Sequence, residues 1–214
     1  MPAIVQGWYN GSEAGVAIAS VLCGDANPSG KLPMTWNDRL EDYAAHALNT
    51  YPGTWRDDKK EIIDEEYKEG VFVGYRWNDL KKIKPVFAFG HGLSYTTFAL
   101  SNLRSSSTRM LRSGTITFTV TVKNIGPRAG AEVVQLYIHD SASTVERPYK
   151  ELKGFQKVYL QPGESKDVSI TINAQSLSFF DEATHAWKAE LGDFTALVGN
   201  SSDNLPLRAR FTLE

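Results

Sequence analysis

From Phe98 to the C-terminus, apolar side chains recur at every second position, and few folds accept such a pattern. Ile116, Phe118, Val120 and Val122 alternate with Thr115, Thr117, Thr119 and Thr121, which describes a strand buried on one face only. Val134, Leu136 and Ile138 repeat the pattern, as do Val168, Ile170 and Ile172, then Phe194, Ala196 and Val198, and finally Leu207, Ala209, Phe211 and Leu213. Turn residues separate these runs at Asn124-Ile-Gly-Pro127, Gln161-Pro-Gly163 and Gly199-Asn-Ser-Ser. About seven strands at this spacing predict an all-β fibronectin III/Ig-like sandwich over residues 99–214. Cys23 is the only cysteine, so no internal disulfide exists, and a fibronectin III type is expected rather than an antibody type.

Residues 1–84 read differently. Ala3–Trp8 predicts a short buried strand. Asn10 and Glu13 then stand at capping-box spacing, with Ser12 as an alternative cap. Ala14, Ala17, Ile18, Val21 and Leu22 share one face of a helix; Val16, Ala19 and Cys23 add apolar residues elsewhere, so a helix covered on most sides is expected, with the thiol buried. Gly24 suits the C-cap, Asn27–Gly30 a turn, and Lys31–Trp36 a further extended piece. One βαβ unit cannot bury both faces of a sheet, so these residues are an α/β fragment. Met1-Pro2-Ala3 opens straight into the strand-like run without a signal-peptide pattern, and a truncation is the expected reading. Residues 37–66 predict a solvated loop, and Tyr67–Arg76 predicts a strand, apolar on both faces.

Between the two parts, residues 85–98 read Pro-Val-Phe-Ala-Phe-Gly-His-Gly-Leu-Ser-Tyr-Thr-Thr-Phe. Gly90 and Gly92 allow the backbone to turn, while Phe87, Phe89, Leu93, Tyr95 and Phe98 supply apolar area on both sides. A free linker would be Gly/Ser-rich or Pro-rich, so this stretch is expected to pack the two parts together. It also resembles a hallmark segment of the family 3 glycoside hydrolases, most of them β-glucosidases. Trp8-Tyr-Asn-Gly-Ser-Glu-Ala-Gly15, Gly24–Pro33 and Tyr67–Arg76 are similar to successive motifs of that family's α/β sandwich domain. Ser12 and Ala14 depart mildly from its usual Gln and Gly. Val145–Phe155, Leu160–Ser165 and Leu177–Asp181 resemble its C-terminal domain.

The resemblance implies a retaining, exo-acting enzyme that releases terminal β-D-glucosyl or related residues. Its Asp nucleophile would sit on an N-terminal barrel, and its acid/base, commonly Glu, on the α/β sandwich domain upstream of Trp8. A barrel needs about 250 residues, so this chain is expected to hold no catalytic residue and to be inactive alone. A β-linked oligosaccharide or glycoside would reach it through the missing domains, and a secreted or periplasmic parent is implied. The alternative is a free-standing carbohydrate- or protein-binding module, with Tyr149, Tyr159 and Trp187 as contact candidates.

Local chemistry offers little else. Glu13 follows a predicted strand, but a carboxylate in a first helical turn is explained by the helix dipole. Glu69 is expected to pair with Arg76. Asp57, Asp58, Glu65 and Glu66 lack the spacing and glycine of a calcium loop. His46, His91, His139 and His185 show no metal-ligand spacing, and His91 is expected to hydrogen-bond turn backbone. No cofactor or metal is indicated. A net charge of −2 argues against nucleic acid, and no apolar run has membrane-spanning length. Trp8 and Tyr9 follow the first predicted strand, where ligands of open α/β sheets gather, and are candidate saccharide contacts.

Overall fold

The alternation beyond Phe98 folds into two facing sheets. The structure is a computed structural model that describes residues 3–214; Met1 and Pro2 lie outside it. The first part contains α1 (Ala14–Cys23), a 3-10 turn (Leu40–Asp42), α2 (Ala44–Ala47), β1 (Thr54–Trp55), β2 (Ile63–Asp64) and α3 (Tyr75–Lys81). There follow β3 (Phe98–Ser105), β4 (Arg109–Met110), β5 (Thr115–Asn124), β6 (Gly130–Asp140), β7 (Glu151–Leu160) and β8 (Ser165–Asn173). The chain closes with α4 (Ala174–Leu177), β9 (Phe179–Asp181), β10 (Ala186–Lys188), β11 (Gly192–Gly199) and β12 (Leu207–Leu213). Strands order as β3-β5-β8 in one sheet and β4-β12-β11-β6-β7 in the other.

The predicted apolar positions all face inward. Ile116, Val122, Val134, Leu136, Ala196 and Leu213 are among the most completely buried, with Leu207 and Ala209 at the edge of the same core. On the opposite side of the three-stranded sheet the alternate hydroxyls bond across strands, Thr117 to Thr171 at 2.7 Å and Thr119 to Ser169 at 2.8 Å. The Asn124 turn is held from within. Asn124 is fully buried; its Nδ2 donates to the Arg128 and Leu160 carbonyls, and its Oδ1 accepts from Thr96 Oγ1 and Gly126 N.

The first part departs from expectation where a partner layer is needed. Residues 3–8 form no strand, and Ile4 and Val5 are about half exposed. A strand is defined by backbone bonds to a neighbour, and none of the described residues supplies one. Helix α1 forms where the period places it, and Gly24 caps it in the left-handed region at φ 84°. The N-cap is Glu13 without a side-chain bond, so neither predicted cap is made. No residue of α1 is buried; Val16 and Leu22 are each 65% exposed, and Cys23 is exposed. The predicted cover and the buried thiol are therefore absent among the described residues. Tyr67–Arg76 is not a strand either: Gly70 and Gly74 take positive φ, turning the chain into α3. Phe72 is buried and Tyr75 packs inward there, while Val71 and Val73 stay exposed. The acidic run is largely irregular as predicted, with short helical turns and the β1–β2 ladder inserted.

What unites the two parts is the joint. Residues 31–36 run extended along it: Leu32 N donates to His91 O, Gly90 N to Leu32 O, and Trp36 bridges Phe87. Gly90 takes φ +79°, and a Cβ there would strike the side chain of Gln135 on β6. That amide is buried; its Nε2 donates to the Gly90 and Asn200 carbonyls at 3.2 and 2.7 Å, and its Oε1 accepts from Tyr137 at 2.7 Å. Tyr137 and Leu197 lie on the outer face of the five-stranded sheet yet are 0% and 3% exposed, because the joint and α3 cover that end. Tyr75 meets Tyr137 edge-on at 5.7 Å and Phe89 in a tilted arrangement at 5.2 Å, and its hydroxyl accepts from Leu152 N at 3.0 Å. Burial pushes the Tyr137 phenol well above its ordinary value.

Charged pairs flank this contact. Lys31 meets Glu132 at 2.7 Å and donates to Gly92 O at 2.9 Å. Lys150 grips both Asp79 oxygens at 2.6 and 2.5 Å. Burial raises the Asp79 carboxyl, with Lys150 opposing the shift. Burial would also raise Glu151, but Lys153, Arg147 and Arg76 together hold it below its usual range. Pairs this enclosed are costly to break, because removing one partner leaves an uncompensated charge.

Two outcomes follow. Gly90→Ala should destabilise the chain by about 1–3 kcal/mol in urea unfolding, more than Gly11→Ala, whose φ of +71° faces open space. An equal or smaller loss at Gly90 would contradict the close packing against Gln135. Because the folded Glu151 value is depressed, its stabilisation is present above the unfolded value of about 4.3 and is lost as pH falls through the folded one. Glu151→Gln should therefore flatten the decline of the urea midpoint on acidification, and an unchanged decline would argue against this linkage.

Candidate functional site

The two candidate saccharide contacts lie in the segment before α1, and one of them reaches the joint through Trp36. Trp8 is half exposed and takes φ +51°, an uncommon conformation for a bulky residue. Its ring meets Trp36 edge-on at 6.5 Å; Trp36 in turn meets Phe87 at 6.1 Å, and Phe87 lies against the His91 ring at 5.5 Å. The series begins in the segment before α1 and ends in the joint, so the joint fixes the base on which Trp8 stands. Trp8 is not a core residue. Tyr9 beside it is fully exposed and makes no aromatic contact among the described residues.

The strand that motivated Trp8 and Tyr9 is absent from the described residues, so no strand end positions them; contact with Trp36 positions Trp8 instead. Trp36 was not singled out in the sequence, where it closes the extended Lys31–Trp36 piece. Its pairing with Phe87 is a tertiary contact 51 residues away in sequence and leaves no local pattern.

The remaining candidates take structural places. His91 bonds turn backbone through its own main chain, accepting from Leu32 N and donating to Ala88 O, while its ring stacks on Phe87. The expected Glu69–Arg76 pair does not form. Arg76 reaches Glu151 at 3.5 Å instead, and Glu69 Oε2 is a buried oxygen without a partner among the described residues. Glu13 is exposed at the start of α1. Among the described residues, no three His, Cys, Asp or Glu side chains group closely enough to hold a metal ion. Within the acidic run Asp64 is taken by Arg56, whose guanidinium holds that carboxyl below its ordinary value. Tyr149, Tyr159 and Trp187 are 50%, 56% and 66% exposed, on separate parts of the sandwich.

Known proteins share this arrangement. Residues 1–75 match the glycosyl hydrolase family 3 C-terminal domain, and residues 132–202 match the fibronectin type III-like domain. Beta-glucosidase BoGH3A of Bacteroides ovatus is 47% identical over 207 residues, which are 96% of this chain and 27% of that protein. Thermostable beta-glucosidase B of Acetivibrio thermocellus is 43% identical over 205 residues, 96% of this chain and 26% of that protein. Among solved structures, the GH3 beta-glucosidase of Bifidobacterium adolescentis superposes with a TM-score of 0.87 at 35% identity, covering 97% of this chain and 29% of that one. DesR, a beta-glucosidase of Streptomyces venezuelae in complex with D-glucose, gives 0.87 at 39% identity, covering 97% and 26%. The chain thus spans about a quarter of the length of the relatives it matches. The ordered motifs, the sandwich and the joint that seats on it agree with these matches over nearly the whole sequence: the chain belongs to glycosyl hydrolase family 3, as the end of its C-terminal α/β domain followed by its fibronectin type III-like domain.

Proposed function

We propose that this chain is the C-terminal portion of a retaining, exo-acting β-glucosidase-like enzyme that hydrolyses terminal β-D-glucosyl or related residues. The observation that carries the reading is α1: a helix rich in Val, Ile, Leu and Ala with no buried residue. Such a helix is stable in water only when another layer covers it. The relatives are about four times as long as this chain, and the cover for α1 is assigned to that additional length. Ile4, Val5, Val16 and Leu22 supply the apolar surface for that contact.

Retaining hydrolysis needs two carboxyl groups about 5–5.5 Å apart, one attacking the anomeric carbon and one protonating the leaving oxygen. The buried or half-buried carboxylates Glu132, Glu151 and Asp79 are engaged in ion pairs, Asp181 and Asp193 accept from threonine hydroxyls, Glu13 is exposed, and Glu69 is enclosed without a partner among the described residues. The nucleophile and acid/base are assigned to upstream domains, and this portion to holding the α/β layer against the sandwich. Trp8, braced by Trp36, and Tyr9 are assigned to the edge of the saccharide site, where a half-exposed indole can stack on a sugar ring.

The 214-residue chain alone should show no turnover of p-nitrophenyl β-D-glucoside; turnover abolished by Glu13→Gln or Glu69→Gln would overturn the assignment. In an enzyme carrying the barrel and the whole α/β domain, Trp8→Ala should raise KM about fivefold, the equivalent of an aromatic stacking loss of about 1 kcal/mol. An unchanged KM would remove Trp8 from the saccharide site.

A further inference from the structure

The joint and α3 cover only one end of the outer face of the five-stranded sheet. Beyond Tyr137 the face opens into a groove of about 870 Å³ with Leu197 in its lining, within the size range of small-ligand sites. Its rows follow from strand register. Thr195 on β11 lies between His139 on β6 and Arg210 on β12, and Asp193 is paired with Thr212, next to Arg109 on β4.

Charge in the groove is unequal. Arg208 and Arg210 alternate on β12, so their Cα atoms are about 6.8 Å apart on one face. Both are exposed, and neither takes part in the ion pairs formed among the described residues. The groove's acid, Asp193, accepts from Thr212 Oγ1 at 2.7 Å, and three arginines, Arg109, Arg208 and Arg210, line the groove against this one carboxylate. Arg109 is already turned to Glu214 at 3.4 Å. Two free guanidinium groups therefore stand over a local cationic surface, on a chain whose net charge is −2.

The other groups select the kind of anion. Tyr149 forms one wall; its half-exposed ring lies against His139 at 4.5 Å, and His139 Nδ1 donates to the Tyr149 carbonyl at 2.6 Å. The ring is held by His139 and by Lys150 Nζ, 5.7 Å from its centre, and half of it remains exposed at the groove. The apolar floor residues Phe194, Leu197 and Phe211 are almost fully buried, so an apolar peptide anchor finds no pocket. An aromatic face, hydroxyls and unpaired guanidinium groups suit a pyranose ring that carries a carboxylate, because a guanidinium fork matches a carboxylate with two parallel hydrogen bonds.

We propose that this groove binds an acidic saccharide with uronate carboxylates on Arg208 and Arg210 and a sugar ring against Tyr149. The proposal is independent of the hydrolase reading, since it uses no part of the α/β layer. Trigalacturonic acid is the probe and cellotriose the neutral control, titrated calorimetrically into the 214-residue chain with amide chemical-shift mapping in parallel. Trigalacturonic acid should bind, more weakly as salt is raised, and shift the amides of His139, Thr195 and Arg210. The Arg208→Ala/Arg210→Ala double variant should lose at least about tenfold in affinity at unchanged melting temperature, and Tyr149→Ala should also weaken binding. No binding at millimolar sugar, equal binding of cellotriose, or shifts confined to other surfaces would overturn the proposal. Should the double variant fail to fold, the shift map on the unaltered chain decides.

Discussion

The close approach of Gly90 to Gln135 is the contact on which the arrangement of the two parts depends. It works only because Gly90 lacks a side chain and because the Gln135 amide has every group engaged, by Gly90, Asn200 and Tyr137. A buried amide with one of these partners missing would cost about 1–3 kcal/mol. Around it the aromatic stack of Phe89, Tyr75 and Tyr137 fills the space, and the Lys31–Glu132 and Lys150–Asp79 pairs fix the two sides in register. The apolar contacts supply area, while the charged and hydrogen-bonded groups select one orientation. The joint is therefore part of the sandwich's outer face, and it carries residues 31–36 with it.

This explains why the two parts were unequally legible in the sequence. The sandwich closes its core within the chain, so every alternating residue of β5, β6, β8, β11 and β12 has its partner here and the period of two maps directly onto burial. The α/β part does not close. Ala3–Trp8 has the composition of a strand, but no strand exists without a neighbour to bond, and α1 has the composition of a covered helix without its cover. At Tyr67–Arg76 the alternation misled for a different reason: Gly70 and Gly74 adopt positive φ and break the extended backbone that the apolar residues favour. The joint was readable because glycine and aromatic residues concentrate there. Its specific partners, Gln135 and Tyr137, were not, since both sit within a strand whose pattern points the other way.

The candidate sites divide similarly. Trp8 and Tyr9 could be singled out from their order in the chain, yet what braces Trp8 is Trp36, a long-range contact that no local spacing reports. The groove over Thr195 was invisible because it is assembled from four strands, and its arginines occupy ordinary outward positions of an edge-proximal strand. Of the carboxylates singled out in the sequence, Glu66 pairs with Lys68 and Glu13 stays exposed, while Arg76 meets Glu151 instead of its expected partner Glu69. Among the described residues the sandwich buries its own core, the α/β part leaves the apolar residues of α1 exposed, and the joint packs against the sandwich.

Amide hydrogen exchange on the 214-residue chain tests that account most directly, because it reports local opening element by element. Residues 85–98 should exchange as slowly as β6, as one unit with the sandwich, while α1 should exchange far faster. If α1 is protected to the level of β6, its apolar face is already covered within this chain, and the view of an open layer awaiting its partner is wrong. If residues 85–98 exchange quickly while the sandwich stays protected, the joint is a flexible linker and the Gly90–Gln135 contact does not hold the two parts together.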